Sequence, residues 1–364
     1  MAVINYEPLG ARDRTTTTTS LYESIPLTGS IISGTYGGDT VTLGSEPNIK
    51  NYTHGQFQSV YDYPYLSSSA NHIFDITMGY NASSPLSASA GGTPAQEAKK
   101  INMYNQISQV LLGYTSSANT TRDFELDLTL DQTGSMKECF FLNFSRLIYK
   151  DQIKKGTFSI TLGTASWDNT MLSTATLVDA SASATEGTAN TLGGDYGVLY
   201  NNASGSDGNT AQGVVFYQAG IVALSTASFV GPSNTDFNSG SILSGSGPTK
   251  LTIAQSFVSA SISGNCNAAR HRIKNISFNN TTEINSTIYF CRIPHNKYNY
   301  SANPTYLSSS QIVVKNIASD TPVSYITTIG LYSSNNELLA TAKLSEPLRK
   351  DPNNEITLRV RLDY

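Results

Sequence analysis

The sequence predicts a mainly β protein with β-sandwich-like domains, one principal α-helix at about 94–112 and an extended N-terminal arm. Short apolar–polar alternations of period two recur along the chain between turns rich in Gly, Asn and Ser, which is typical of strands. One segment carries helical periodicity with start and stop signals. Residues 1–36 contain the threonine run Thr15–Thr19, whose β-branched side chains favour extended backbone.

Composition limits the class of protein. The chain has 364 residues, a formal net charge of −4 and only 14% charged residues. The hydrophobic fraction of 39%, with 21 Tyr and 13 Phe, is enough for a folded core. The chain has no apolar run of transmembrane length and no strongly basic balance, so we expect neither membrane insertion nor a specific nucleic-acid partner.

Shifts in composition predict three segments. Residues 1–92 hold the arm and a small β region, residues 93–255 hold the helix and a β domain poor in Lys and Arg, and residues 256–364 form a C-terminal β domain. Gly156–Thr249 contains six acidic residues and no Lys or Arg. Two interpretations stay open for this stretch: a self-contained β domain rich in hydroxyl groups, or a surface that contacts other subunits, where charge is costly to desolvate.

The predicted helix has recognisable ends. Thr93 is a candidate N-cap, Pro94 suits the first helical position and Gln96 completes a capping box. Gly113 is a plausible stop. The apolar stripe that we expect to pack against the core consists of Ala98, Ile101, Tyr104 and Leu111.

The predicted strands follow from alternation. Phe124 and Leu126 alternate with Glu125 and Asp127, which indicates a half-buried strand with an acidic outer face. Two later strands are expected to be joined by a turn at Asn279–Thr282. Strands are also predicted at 40–43, 72–80, 157–163, 196–200, 214–224, 270–278, 287–293, 312–315, 323–332, 337–344 and 356–362, with a buried apolar segment at 139–149.

Motifs for catalysis or metal binding are missing from the sequence. There is no HExxH, no Cys/His zinc spacing, no GxSxG, no Walker A loop and no GxGxxG. Glu125 with Asp127 is a weak carboxylate pair for glycoside hydrolysis, and Asn202–Asn209 offers oxygen donors for Ca²⁺ that a plain turn explains better. We therefore predict no enzyme activity, no cofactor and no metal, with the isolated histidines structural.

Two further features have ordinary explanations. Cys139, Cys266 and Cys291 lack any CxxC spacing and are expected to be reduced thiols, with a Cys266–Cys291 bridge as the alternative. The basic run Arg270–Lys274 alternates like a strand. We interpret it as an exposed strand or a row of intersubunit salt bridges rather than a phosphate-binding patch.

The most specific runs of the sequence lie near its C-terminus. They resemble a family of virion structural proteins from contractile-tailed phages, particularly marine and cyanobacterial ones, usually associated with the tail or baseplate. The resemblance covers residues 100–364 in patches, is strongest after 285 and implies assembly without catalysis. The runs that carry it are Tyr289–Arg292, Asn296–Tyr306, Pro322–Tyr332, Asn336–Lys350 and Ile356–Tyr364, with Phe140–Leu147, Lys150–Phe158 and Val215–Ile221 in the middle.

The resemblance predicts a structural component of a tailed phage virion, assembled in the host cytoplasm from copies of itself and other virion proteins. Tyr298, Tyr300 and Tyr306 are suspected interface anchors, because tyrosine buries a large ring and keeps a polar tip. An alternative is a receptor- or glycan-binding fibre module, which would show a concave aromatic-lined site. Weaker alternatives are a neck, collar or capsid-associated protein and a tail-associated glycan hydrolase.

Overall fold

The computed structural model describes most of the chain. The chain divides into two compact units: a smaller one of residues 1–20 and 283–364, and a larger one of residues 21–282. This division differs from the three segments predicted from composition, since one unit combines both ends of the chain. The described residues are 6–33, 46–88, 94–115, 120–127, 133–164, 174–179, 193–201, 210–229, 237–239, 250–300, 307–308, 311–312, 319 and 321–364.

The mainly β class is confirmed, with strands far outnumbering helices in the described residues. The strands are β1 Arg14–Thr28, β2 Ile49–Asn51, β3 Gln58–Tyr61, β4 His72–Tyr80, β5 Phe124–Glu125, β6 Ser135–Met136, β7 Glu138–Phe144, β8 Gln152–Ile153, β9 Ser159–Gly163, β10 Thr174–Val178, β11 Tyr196–Asn201, β12 Ala211–Phe216, β13 Ile221–Ser225, β14 Asn238–Ser239, β15 Lys250–Leu251, β16 Ile273–Ile293, β17 Leu307–Ser308, β18 Gln311–Ile312, β19 Ser324–Tyr332, β20 Leu338–Lys350 and β21 Ile356–Asp363. The helices are α1 Gly29–Ser33, α2 Pro94–Leu111, α3 Arg146–Tyr149, α4 Ile253–Ser259 and α5 Ile262–Arg272, with 3-10 turns at Ala11–Asp13, Pro85–Ala88 and Thr226–Phe229.

The larger unit, residues 21–282, is organised around one large sheet. Its strand order is β2–β3–β4–β7–β13–β12–β11–β10–β9–β16–β1, and the neighbours from β2 to β16 are antiparallel. The central strand β7 sets the register, because Phe141 lies opposite Thr77 of β4 and Ala223 of β13. Strands distant in sequence therefore meet at the middle of the sheet.

Both faces of this sheet are buried at its central strands. In β7, Phe140 and Leu142 belong to one apolar cluster, while Cys139 and Phe141 belong to a second. Tyr104 of α2 is part of the second cluster, and Phe257 of α4 is part of the first. Burial on both sides explains why this strand is a continuous apolar run rather than an alternating one, and each buried Phe contributes roughly 1.5–3 kcal/mol.

Helix α2 matches the predicted helix in position. It covers Pro94–Leu111, and Tyr104 and Leu111 are buried as predicted. Ile101 is half-buried and packs against the apolar core, as predicted. Ala98 was wrong because it is exposed, and Lys100 and Ser108 are buried instead. Polar side chains can occupy that face because the structure satisfies them, as the Ser108 hydroxyl shows by donating to the Arg122 carbonyl oxygen. The proposed cap Thr93 lies outside the described residues.

Three local predictions are corrected. Residues 270–272 end helix α5 rather than begin a strand, and the side chains of Arg270 and Arg272 are buried, not exposed. Strand β16 continues through 279–282, so there is no turn between two strands there. Glu125 is buried beside Phe124 in the two-residue strand β5, so the acidic outer face is wrong at this position.

The N-terminal arm is extended, as the sequence predicts. Strand β1 neighbours β16, and most of its side chains are exposed. The arm is not free of core positions, however, because Leu27 and Ile32 are buried in the apolar cluster of the larger unit. The Asn48 side chain also donates to the Ile31 carbonyl oxygen at 2.9 Å.

The smaller unit, residues 1–20 and 283–364, combines strand pairs with little apolar burial. Strand β21 pairs with the second half of β16, from Ser286 opposite Asp363 to Ile293 opposite Ile356. Strands β19 and β20 form an antiparallel hairpin. Among the described residues of this unit, Val323 and Val360 are the apolar side chains that are fully buried.

Candidate functional site

A fixed turn in the smaller unit presents two of the suspected interface tyrosines. Lys350, at the end of β20, is fully buried. Its ammonium group donates to the carbonyl oxygen of His295 at 3.2 Å and to Asn299 Oδ1 at 2.7 Å. Asn299 Nδ2 in turn donates to the same His295 carbonyl at 2.8 Å. This network holds the turn that carries Tyr298 and Tyr300.

The turn forms one wall of a groove that lies within the smaller unit. The groove has a volume of about 870 Å³. Its other walls are residues 6–9, the end of β16 and the length of β19. Five tyrosines line it, each between 39% and 59% exposed: Tyr6, Tyr298, Tyr300, Tyr325 and Tyr332.

The groove tyrosines present ring faces in different planes. The rings of Tyr6 and Tyr332 lie with centroids 4.9 Å apart and an interplanar angle of 59°. Tyr298 has a backbone φ of 57°, in the left-handed region that bulky residues rarely adopt. Partial burial, followed by the charge of Glu7, raises the pKa of Tyr298, so its phenol stays protonated at neutral pH.

The charged groups at the groove are paired with opposite charges. Arg292 Nε lies 3.0 Å from Asp13 Oδ1, and Lys297 Nζ lies 2.5 Å from Glu7 Oε2. The hydrogen bond to Glu7 raises the pKa of Lys297. Since Glu7 and Arg292 are the charged residues that line the groove in the described part of the chain, its electrostatic character is close to neutral.

Sequence reasoning identified part of this site. Tyr298 and Tyr300 lie together at the groove, whereas Tyr306 lies outside the described residues; their role at an interface stays a prediction. Tyr6, Tyr325 and Tyr332 were missed. Tyr325 and Tyr332 are seven residues apart, so they would lie on opposite faces of a regular strand. Two register shifts in β19 break that alternation, so the sequence pattern does not predict that both line the groove.

A second cluster has the residue types of a hydrolytic triad but not its geometry. His72 Nε2 lies 2.8 Å from Asp75 Oδ1, and Ser59 Oγ donates to the same oxygen at 2.5 Å. The carboxylate therefore stands between the hydroxyl and the imidazole. A nucleophilic serine requires the imidazole itself as its base, so this arrangement does not activate Ser59.

The other histidines also have local partners. His271 Nε2 lies 3.3 Å from Glu46 Oε1, and the buried guanidinium of Arg270 lies 3.6 Å from the same oxygen. Burial alone would raise the pKa of Glu46, but the hydrogen bond with His271 and the charge of Arg270 lower it overall. His54 accepts from the Gln56 amide, and His295 lies near Glu355. Each histidine therefore has a local polar partner, and its structural role stays a prediction.

Remaining sequence candidates gain no support from geometry. Glu125 is buried, so it does not face an open cleft with Asp127 as a glycosidase pair requires. Within the described ranges no group of three His, Cys, Asp or Glu side chains could hold a metal ion, and no helix is long and apolar enough to cross a membrane. The segment Asn202–Asn209 lies outside those ranges. Cys139, Cys266 and Cys291 are free thiols, without a bridge.

Comparison of the chain with protein-family models, with curated proteins and with solved structures gives no match. The groove and the exposed apolar side chains of the smaller unit are therefore the features from which function is inferred.

Proposed function

We propose that this chain is a structural component of a tailed phage virion, in the tail or baseplate, where it joins copies of itself and other virion proteins. The proposal includes no catalytic role and no cofactor. One observation carries the assembly role: the smaller unit buries few apolar side chains of its own, and its strand β20 exposes three leucines.

These three residues, Leu338, Leu339 and Leu348, are named the β20 leucines here. They are 53%, 69% and 37% exposed. Burying one leucine contributes roughly 1.5–3 kcal/mol relative to leaving it in water. A unit of this size depends on such burial for stability, and contact with another subunit would supply it. Identical subunits in a symmetric assembly present the same surface repeatedly, which favours this arrangement.

The resemblance of the C-terminal runs to virion structural proteins supports the setting of the proposal. Strand β20 lies within one of those runs, Asn336–Lys350. A weakly charged chain also suits close contact between subunits, because charged groups are depleted at the centres of interfaces.

The assembly role is tested by the mass of the purified chain in solution, measured by size-exclusion chromatography with light scattering. We expect a homo-oligomer for the native chain and a shift toward monomer for Leu338→Ser with Leu339→Ser. The control is Leu147→Ser, which removes an even more exposed leucine, at 82%, from the larger unit. A native chain that stays monomeric at every concentration contradicts the assembly role.

The virion setting is tested separately. In immunogold electron microscopy, antibodies raised against the purified chain should label the tail or baseplate of phage particles purified from lysed host cells that express this chain. Labelling confined to another part of the particle would support a neck, collar or capsid location. Particles that carry no label, although the antibody detects the purified chain, contradict the proposal.

A further inference from the structure

We propose that the tyrosine-lined groove of the smaller unit binds an uncharged oligosaccharide chain. This function goes beyond assembly and uses residues other than the β20 leucines. The juxtaposition that carries it is five partly exposed tyrosine rings around one concave, electrically balanced groove with hydroxyl and amide groups on β19 and the loop after it.

The size of the groove suits a ligand larger than a single small group. Its volume of about 870 Å³ lies within the roughly 300–1,000 Å³ of typical small-molecule sites. The groove extends along all nine residues of β19, Ser324–Tyr332. An elongated site of this kind favours a linear chain of rings over a compact ligand.

The tyrosines match the two surfaces of a sugar ring. A pyranose has a face of C–H groups and a rim of hydroxyls, and tyrosine combines an apolar ring face with a polar tip. Tyr6 and Tyr332 present two ring planes tilted by 59°, and Tyr325 on β19 adds a third ring. Successive sugar rings can therefore lie against different aromatic faces.

Charge selects among possible sugars. Glu7 and Arg292 are already satisfied by Lys297 and Asp13. An anionic or cationic ligand would have to compete with these ion pairs, so it gains little from the groove. A neutral chain leaves both pairs intact.

The polar wall distinguishes a sugar from an apolar peptide or helix. Thr327, Thr328, Ser334 and Asn336 all line the groove with exposed side chains. An apolar partner would remove these hydroxyl and amide groups from water without replacing their hydrogen bonds, which is unfavourable. Sugar hydroxyls can replace those bonds directly.

The test measures binding of the full chain to neutral hexasaccharides by saturation-transfer NMR and calorimetry. The probes are maltohexaose, cellohexaose and mannohexaose, with hexagalacturonate as the charged comparison and an uncharged decapeptide pool as the peptide comparison. We expect at least one neutral probe to bind more tightly than either comparison. Tyr332→Ala and Tyr325→Ala should each weaken that binding at least about tenfold.

The matched control is Tyr114→Ala, which removes a tyrosine of similar exposure from the larger unit and should leave affinity unchanged. Gly330→Ala is a second probe of the groove, because its Cβ would lie 2.8 Å from Tyr332 Cε2 and displace that ring. It should weaken binding without loss of the folded state.

Several results would overturn the proposal. The first is that none of the neutral probes binds, and the second is that hexagalacturonate or the peptide pool binds more tightly than they do. The third is that the Tyr325→Ala and Tyr332→Ala variants bind the sugar as tightly as the native chain. Oligomeric mass is measured for each variant in parallel. If a variant loses sugar binding but keeps its oligomeric mass, the groove acts independently of assembly. If the native chain is monomeric and still binds the sugar, the result contradicts the assembly role and leaves the sugar-binding proposal intact.

Discussion

Two buried lysines, Lys100 and Lys350, donate hydrogen bonds to carbonyl oxygens near the ends of helices, strands and turns. Lys100 donates to the carbonyl oxygens of Phe257 and Val258, at 2.6 and 3.1 Å, in the last turn of α4. Lys350 donates to the carbonyl oxygen of His295, in the turn that carries Tyr298 and Tyr300, and to that of Asp351, directly after β20. The partial negative charge at a helix C-terminus favours a cation such as Lys100, which fixes α2 against α4.

The titration of Lys100 gives a prediction at this scale. Burial lowers the pKa of Lys100 from 10.5 to about 8, against the opposing charge of Glu97. Between these two values the unfolded chain keeps a proton that the folded chain has released. The free energy of unfolding therefore rises from pH 8 toward 10.5, by up to about 1.4 kcal/mol per pH unit from this group.

The measurement is urea denaturation of the native chain and of Lys100→Met at pH 7.5, 8.5 and 9.5. The variant keeps the side-chain length and removes the titration. Other groups, such as the Cys139 and Cys266 thiols whose pKa values burial raises, titrate in both proteins and cancel in the difference. The stability of the native chain relative to the variant should increase with pH. A constant difference would show that Lys100 does not titrate in this range.

At the scale of elements, the sheet of the larger unit explains the segment without Lys or Arg. The described parts of Gly156–Thr249 include β11, β12 and β13, whose side chains are mostly buried. These strands lie inside the sheet with neighbours on both sides. Burial within the same chain accounts for their lack of basic residues without an intersubunit surface. The segment does not form a self-contained β domain, because its strands share one sheet with β7 and β16.

The packing of α2 on the sheet gives a prediction for an element. A Cβ on Gly79 of β4 would lie 2.6 Å from the Lys100 carbonyl oxygen and 2.8 Å from the Tyr104 nitrogen. Both atoms belong to the helix backbone, so Gly79→Ala must push α2 away from β4. We expect a loss of about 1–3 kcal/mol in the free energy of unfolding, measured from the urea midpoint at constant slope.

Gly264→Ala serves as the control for Gly79→Ala. Its Cβ would lie 3.3 Å from the hydroxyl oxygen of Ser261, the N-cap residue of helix α5, and would approach no backbone of another element. Alanine is favoured over glycine in a helix by about 1 kcal/mol, so this variant should be neutral or slightly stabilised. Equal destabilisation by the two substitutions would contradict the close approach of α2 and β4.

At the scale of the whole molecule, the two units differ in how they are stabilised. The larger unit has apolar clusters on both faces of its sheet. In the described part of the smaller unit, Val323 and Val360 are the buried apolar residues, whereas large side chains such as Tyr325 and Leu339 are exposed. The larger unit therefore has its own core, while the smaller unit is expected to depend on contacts with other subunits.

Calorimetry at several protein concentrations tests this difference. We expect two thermal transitions, of which the lower belongs to the smaller unit and moves to higher temperature as concentration rises, because association stabilises the folded form by mass action. The upper transition should not move with concentration. A single transition that is independent of concentration would show that the smaller unit does not rely on association.

The sequence by itself determined the mainly β class, the position of helix α2 and the extended arm, because period two, period 3.6 and the β-branched threonines act locally. Tertiary structure decided the burial of Lys100 and Arg270, because groups distant in the sequence accept hydrogen bonds from them or pair with their charge. It also decided the groove, in which residues 6–9 meet a turn near 298 and strand β19. No local pattern records that meeting, because it brings together segments that lie about three hundred residues apart in the chain.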